Sequence, residues 1–385
     1  MAHAHPLLFT VGPCVLLISL GQALSQPPTN LQPVDRGLAT TQAGDAALWY
    51  DIRELGVEGR GWSDTATPYD RLPARAKGVV RDGVWGLSRD SAGLYVRFVT
   101  DATAISARWT LRSDSLAMTH MPATGVSGLD LYARQDGRWH WVGVGRPEKA
   151  PTNQEGLVGG LPKGPREFAL YLPLYNGVES VQIGLPPEAA LWRAPPWPIE
   201  RAKPIVFYGT SITQGGCAAR PGMAYPAIIG RHLDWPTINL GFSGNGQMEV
   251  EVAGFMAEID AAAFVIDCLP NIGPEQVTER TAPVVTKLRA AHPDTPIVLV
   301  ENIAYQAGAV IPGVRQGYGA KNGALRAEYG KLIATGVKGL YYVEGEQLLG
   351  DDGEATVDGT HPTDVGFLRI AAALEPVLRR ALPSQ

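Results

Sequence analysis

Two periods run along this chain, and they change over near residue 200. From about Ala46 to Gly184 apolar and polar positions alternate: Ile105, Ala107, Trp109 and Leu111 interleave with Ser106, Arg108, Thr110 and Arg112. A period of two marks a half-buried antiparallel strand. Segments 94–99, 129–132, 138–142, 168–172 and 178–183 read the same way, and turn pairs such as Asp136-Gly137 and Asn176-Gly177 separate them. Many short strands with Gly and Pro turns predict an antiparallel β-sandwich over 40–190.

A proline-rich connector at 191–203, containing Ala194-Pro-Pro-Trp-Pro198, then separates two domains. Beyond it, near-continuous apolar runs at 205–208, 237–240, 264–266, 297–300 and 340–343 have the signature of parallel strands buried on both faces. Helical candidates fall between and after them at 224–233, 275–291, 320–333 and 364–381. Alternation of this kind predicts a doubly wound α/β domain over 204–385.

Composition adds exclusions. The 385 residues suffice for two domains with sizeable cores. With 33 basic against 38 acidic residues the formal net charge is -5, so there is no basic excess to neutralise nucleic-acid phosphates or to hold a membrane surface. The N-terminus differs in kind: an apolar stretch at 7–20 followed by Ala23-Leu24-Ser25-Gln26 reads as a signal peptide, residues 1–25, cut after Ser25. The segment is shorter than the ~20 residues a span needs. The mature chain is therefore expected in the periplasm or secreted, without stable membrane insertion. No feature of the sequence sets an oligomeric state.

In an oxidising compartment Cys217 and Cys268 either pair or remain two buried thiols. Eight of the nine tryptophans precede residue 200. They serve either core packing or a sugar-stacking surface, with Trp139 and Trp141 on one strand face. The scattered histidines and distant cysteines show no metal-ligand spacing.

Chemistry collects where the second half places its strand ends. Ligands of open α/β sheets bind beyond the carboxyl ends of the strands. The first run ends in Gly209-Thr-Ser211, the second in Asn239-Leu-Gly-Phe-Ser-Gly-Asn-Gly246, the third in Asp267-Cys-Leu-Pro-Asn271, the fourth at Glu301, and after the fifth lies Val357-Asp-Gly-Thr-His361. A serine nucleophile needs a base, and the base an orienting carboxylate. Asp358 and His361, three apart and beside Pro362, can present one imidazole nitrogen to a carboxylate and the other to Ser211. The backbone N–H groups of Ser211 and Gly244 with the Asn271 amide would supply oxyanion donors. Read singly, Ser211 is a helix cap, Gly244 a turn glycine and Asp358 a surface turn. Their placement at the strand ends favours catalysis.

These four blocks, Gly209-Thr-Ser211, Ser243-Gly244-Asn245, Leu269-Pro-Asn271 and Asp358-x-x-His361, resemble the signature blocks of the SGNH hydrolases, also called GDSL-type esterases. The resemblance implies a flavodoxin-like, three-layer α/β/α catalytic domain. It also implies Ser211 as nucleophile, Asp358 and His361 as its partners, and an oxyanion hole of Ser211, Gly244 and Asn271. Thr210 stands where the eponymous Asp would be, and Leu269-Pro270-Asn271-Ile272 replaces the usual Gly-Gly-Asn-Asp. Gly128-Leu-Asp-Leu-Tyr132 is similar to the GxDLY signature of a β-sandwich that precedes one bacterial subgroup, in which Arg220-Pro-Gly-Met223 also resembles a recurring block.

The expected reaction is hydrolysis of a carboxylic ester through an acyl-enzyme, with no cofactor or metal, on a small-molecule or glycan ester, O-acetyl groups on carbohydrate first. The alternatives are a short-chain esterase or lipase, and an inert glycan-binding envelope protein. Arg220 either anchors substrate or makes a structural ion pair. Glu301 either lines the pocket or caps a helix. Asp130 is expected to hold the two domains together.

Overall fold

A computed structural model describes residues 1, 31–41 and 46–383, so the apolar leader and the cut after Ser25 lie outside the described residues. Among those residues no helix is long and apolar enough to cross a membrane.

The alternating segments pair into two antiparallel sheets. Their strands are β1 (Leu48–Asp51), β2 (Val57–Glu58), β3 (Tyr95–Thr100), β4 (Ala104–Leu111), β5 (Leu129–Gln135), β6 (Arg138–Gly145), β7 (Thr152–Gly159), β8 (Arg166–Tyr171), β9 (Val178–Leu185) and β10 (Leu191–Arg193). One sheet runs β1-β9-β4-β7 and the other β10-β3-β8-β5-β6, with β2 beside β3. Period becomes burial: Ile105, Ala107, Trp109 and Leu111 of β4 are buried and the residues between them are not. They pack against Phe98, Leu131, Phe168 and Ile183 in a core between the sheets.

Two stretches of this half do something else. Segment 59–94 contains one short α-helix, α1 (Asp82–Leu87), a 3₁₀ turn at Ala74–Ala76 and no strand. Its Trp62, Leu72, Val80 and Val84 are buried in the core of the second domain. Arg71, also buried, donates to the carbonyls of Asn239 and Gly241 at 3.1 and 2.7 Å. These apolar side chains find their cover on the neighbouring sheet. The second stretch is a short helical turn, α2 (Ala123–Val126), which returns below.

The second half gives β11 (Ile205–Gly209), β12 (Thr237–Gly241), β13 (Ala263–Asp267), β14 (Ile297–Val300) and β15 (Leu340–Val343), all parallel, in the order β12-β11-β13-β14-β15. That is the flavodoxin-like 2-1-3-4-5 order, with its switch point at β11 and β13. The helices are α3 (Ser211–Gln214), α4 (Tyr225–Leu233), α5 (Val250–Met256), α6 (Pro274–Ala291), α7 (Pro312–Ala334) and α8 (Asp364–Ala381). Residues alternate between sheet faces: Ile205, Phe207, Val265 and Val298 join one core with Ile228 and Phe367. Val206, Tyr208, Ile266 and Leu299 join another with Val252, Val285 and Leu325. Helix α7 begins eight residues before the expected start, since Gly313, Gly317 and Gly319 dilute its helical signal.

Besides these contacts, a buried ion pair joins the sandwich to the second domain. The Asp130 carboxylate is fully buried and accepts hydrogen bonds from Arg220 at 2.8 Å, the Gly222 N–H at 2.8 Å and Trp141 Nε1 at 2.9 Å. Burial pushes its pKa up, against the pull of Arg220. Arg231 lies 3.9 Å over the ring of Tyr132, and Tyr95, Tyr132 and Tyr171 pack against Ala227. The expected domain-holding role of Asp130 is what the geometry shows.

Candidate active site

Strand β11 delivers Ser211 to the carboxyl edge of the sheet at the first position of α3. Thr210 caps that turn, its hydroxyl accepting from the Ile212 N–H at 3.3 Å. An aspartate in this place would cap equally well. The departure at Thr210 therefore leaves the turn intact.

Ser211 Oγ lies 2.9 Å from His361 Nε2, and His361 Nδ1 lies 2.8 Å from Asp358 Oδ2. The second oxygen of Asp358 accepts from the backbone N–H groups of Thr360 and His361 at 3.0 and 2.8 Å. Partial burial acts to raise the Asp358 pKa, but these hydrogen bonds together bring it down to about 2. The carboxylate is ionised across the neutral range, which fixes Nδ1 as a donor and leaves Nε2 free to accept the serine proton. The loop is tied by Val357 N–H to the His361 carbonyl at 2.8 Å, and Thr363 then caps α8.

The oxyanion candidates converge on the same edge. Gly244 sits at φ +66° in a loop held by Gln214, whose Oε1 accepts from the Ser243 N–H at 2.9 Å. Asn271 closes a 3₁₀ turn, and its Nδ2 donates to the Gly246 carbonyl at 3.2 Å, with Phe242 O at 3.5 Å. A Cβ at Gly246 would stand 1.7 Å from the Gly209 carbonyl oxygen, so only glycine lets this loop close on the serine turn. Pro270 and Lys321, which donates to the Leu269 and Pro270 carbonyls at 3.1 and 3.2 Å, hold the Asn271 turn.

The two possible substrate contacts are occupied elsewhere. Arg220 makes the ion pair with Asp130 and stacks 5.2 Å from the Trp141 ring centroid. Glu301 is 1 % exposed; it accepts from Arg326 and Tyr342, both at 2.6 Å, and from the Gly345 N–H at 2.8 Å. Both make structural contacts, Glu301 at the start of a 3₁₀ turn. Cys217 and Cys268 are free and buried. Trp49 and Trp109 are core residues, while Trp141 is half exposed.

Several supporting groups carry no local sequence signal. Tyr175, from the loop after β8, donates to the Ser211 carbonyl at 3.2 Å. Gln214 Nε2 donates to Asp90 at 3.0 Å and to the Leu174 carbonyl at 3.0 Å. Beneath the serine turn, Asp267 accepts from Tyr225 at 2.9 Å and Thr213 at 3.2 Å, and burial pushes its pKa up to about 7. Apart from this support, and with no hydrogen bond to the series among the described residues, the His120 ring stands 5.5 Å from that of His361. Each depends on contacts between residues 36 or more apart in the chain.

A hydroxyl, an imidazole and a carboxylate in series, beside a glycine loop and an asparagine at the carboxyl edge of a 2-1-3-4-5 sheet, define the SGNH class of hydrolase. The GDSL-like lipase/acylhydrolase family matches residues 202–379, and the GxDLY domain, the N-terminus of SGNH-hydrolase-type esterases, matches 47–191. A GDSL-like lipase from Bacteroides ovatus is 37% identical over 87% of this chain and 98% of its own, with a TM-score of 0.82. The chain belongs to this family and is an esterase of the SGNH/GDSL type. The fold is shared with a salicylyl-acyltransferase from a tetracycline biosynthetic pathway, 18% identical over 91% of this chain and 93% of that one, TM-score 0.64. It is shared as well with a family two carbohydrate esterase from Clostridium thermocellum, 16% identical over 76% and 94%, TM-score 0.53. No curated protein sequence matches the chain significantly.

Proposed function

We propose that the protein is an exported carbohydrate O-deacetylase in which Ser211 attacks the ester carbonyl, His361 takes its proton and Asp358 holds the imidazole. The observation that carries this reading is the unbroken series from Ser211 Oγ through His361 to Asp358, at 2.9 and 2.8 Å. The tetrahedral oxyanion is received by the N–H groups of Ser211 and Gly244 and by the Asn271 side-chain amide, whose Nδ2 stands 3.2 Å from Gly246 O and 3.5 Å from Phe242 O. Collapse releases the alcohol, which takes a proton from His361, and water then cleaves the acyl-enzyme by the same steps reversed.

A glycan ester is favoured because the side chains of His361 and Asp358 are 22% and 36% exposed, accessible to the edge of a large polar substrate. The shared fold of a carbohydrate esterase supports the same choice. The leader at 7–20 supports export. A short-chain esterase or acyltransferase acting on another alcohol is the second reading, supported by the shared fold of the salicylyl-acyltransferase.

The test is acetate release from a panel of acetylated glycans, run beside fluorophosphonate labelling of wild type and Ser211→Ala. Labelling confined to wild type, with acetate released from at least one glycan, is expected. Labelling without acetate release favours the second reading, and labelling of Ser211→Ala removes the nucleophile assignment. Asn271→Ala should lower kcat by about 100- to 1,000-fold with a smaller change in KM, since the donor acts on charge that develops in the transition state. Equal kcat in the variant would place the oxyanion elsewhere.

A further inference from the structure

Residues 120, 217 and 361 share no spacing that suggests a common role, yet the fold gathers them. The link is α2, which the sandwich presses onto the loop after Ser211. A Cβ at Gly125 would stand 2.1 Å from the Ala218 carbonyl oxygen, so the two backbones approach as closely as glycine permits. Thr124 fixes the contact by donating to the Ala219 carbonyl at 2.6 Å. On the hydrolase side, Asp364 of α8 accepts from the Ala219 N–H at 3.0 Å. The turn bearing His120, closed by pairing of Met118 with Met121, is thereby held against the turn bearing His361.

The result is a cluster in which one ligand atom each from His120, Cys217 and His361 lies within 4.8 Å of the other two. In a tetrahedral zinc site the bonds are about 2.0–2.1 Å to nitrogen and about 2.3 Å to sulfur. Ligand atoms then stand roughly 3.5 Å apart. A shift of about an ångström closes the cluster, within reach of a side-chain rotation of His120 on its turn. Cys217 is free and buried. Its thiol, pushed up to about 12 by burial and by Asp358, stays protonated until a cation replaces the proton.

We propose that His120, Cys217 and His361 form a binding site for a thiophilic divalent cation such as Zn²⁺, and that its occupation switches the esterase off. Binding forms one bond to sulfur and one to each imidazole, releases the thiol proton to solvent and leaves a fourth position open. No oxidation is involved. Both ring nitrogens of His361 are already committed, Nε2 to Ser211 and Nδ1 to Asp358. A cation that takes either one removes the base or its orientation. Inhibition, though not binding, rests on the assignment of His361 as base.

The experiment titrates chelator-treated protein with ZnCl₂ by calorimetry and by p-nitrophenyl acetate turnover, for wild type, His120→Asn and Cys217→Ser. The expected result is one zinc per chain and inhibition reversed by EDTA. Both variants should turn over normally without metal and need far more zinc for half inhibition. Loss of an outer-shell partner alone weakens a metal by about 10- to 100-fold, so loss of a ligand should do at least as much. Co²⁺ should give a thiolate charge-transfer band in wild type that is missing in Cys217→Ser. Should Cys217→Ser fail to fold, His120→Asn decides. Equal zinc affinity in wild type and His120→Asn, or no stoichiometric binding, overturns the site. If wild type lacks turnover altogether, the catalytic reading fails while calorimetry and the cobalt spectrum still decide the metal.

Discussion

His361→Ala is expected to slow ester turnover by about a million-fold, and adding Ser211→Ala to it should slow turnover no further. Nucleophile and base act as one unit: without the imidazole the Ser211 hydroxyl keeps its proton, and without the hydroxyl the imidazole has nothing to activate. The Ser211–His361 contact at 2.9 Å makes the unit physically continuous. Residual activity should come from the oxyanion donors alone. The measurement is kcat for p-nitrophenyl acetate in both single variants and the double, with circular dichroism to confirm an unchanged fold. Losses that multiply in the double variant would mean that the two groups act separately, and near-normal turnover in His361→Ala would remove it as base.

Asp130→Ala carries the largest expected effect on stability, about 3–5 kcal/mol. It removes a fully buried carboxylate and strands three donors, from Arg220, Gly222 and Trp141. Arg220 is only 23% exposed and would be left as an uncompensated charge between the domains. Urea unfolding should show the midpoint falling. Arg220→Met added to Asp130→Ala should recover part of the loss, because replacing both partners by apolar groups takes away the stranded charge. Additive losses in the double variant would show that the pair is not coupled. Since Arg220 lies in the loop that follows Ser211, the single variant should also lower turnover.

The parallel strands were legible because each is buried on both faces and so reads as a continuous apolar run. Their helices were legible where caps and periodicity agree, as at 364–381, and less so where glycines intervene, as in the first third of α7. The residues of the candidate site were legible through position: Ser211, Gly244, Asn271 and the Asp358–His361 pair all lie at strand ends, and the doubly wound topology brings those ends to one edge. Thr210 and Pro270 departed from the family pattern without loss of the turn each supports, since capping and turn formation accept more than one residue type.

Segment 59–94 gave no warning that its apolar residues would cover the other domain's sheet, because local pattern reports that a residue is buried and not against what. Arg220 and Glu301 remained open for the same reason. A charged side chain beside a site reads identically whether it faces substrate or a buried partner, and here Arg220 pairs with Asp130 and Glu301 accepts from Gly345. His120 and Tyr175 had no signal, as each reaches the site from the sandwich half across a domain boundary.

The sequence by itself determined the two domains' classes, the strand ends that carry polar groups and the residues that form the Ser211–His361–Asp358 hydrogen-bonded series, since these follow from local periodicity and spacing. The tertiary structure alone decided which charges hold the domains together and which side chains from the sandwich meet His361. Those outcomes depend on approach distances between backbones far apart in the chain, such as Gly125 against Ala218, and short-range pattern carries no record of them.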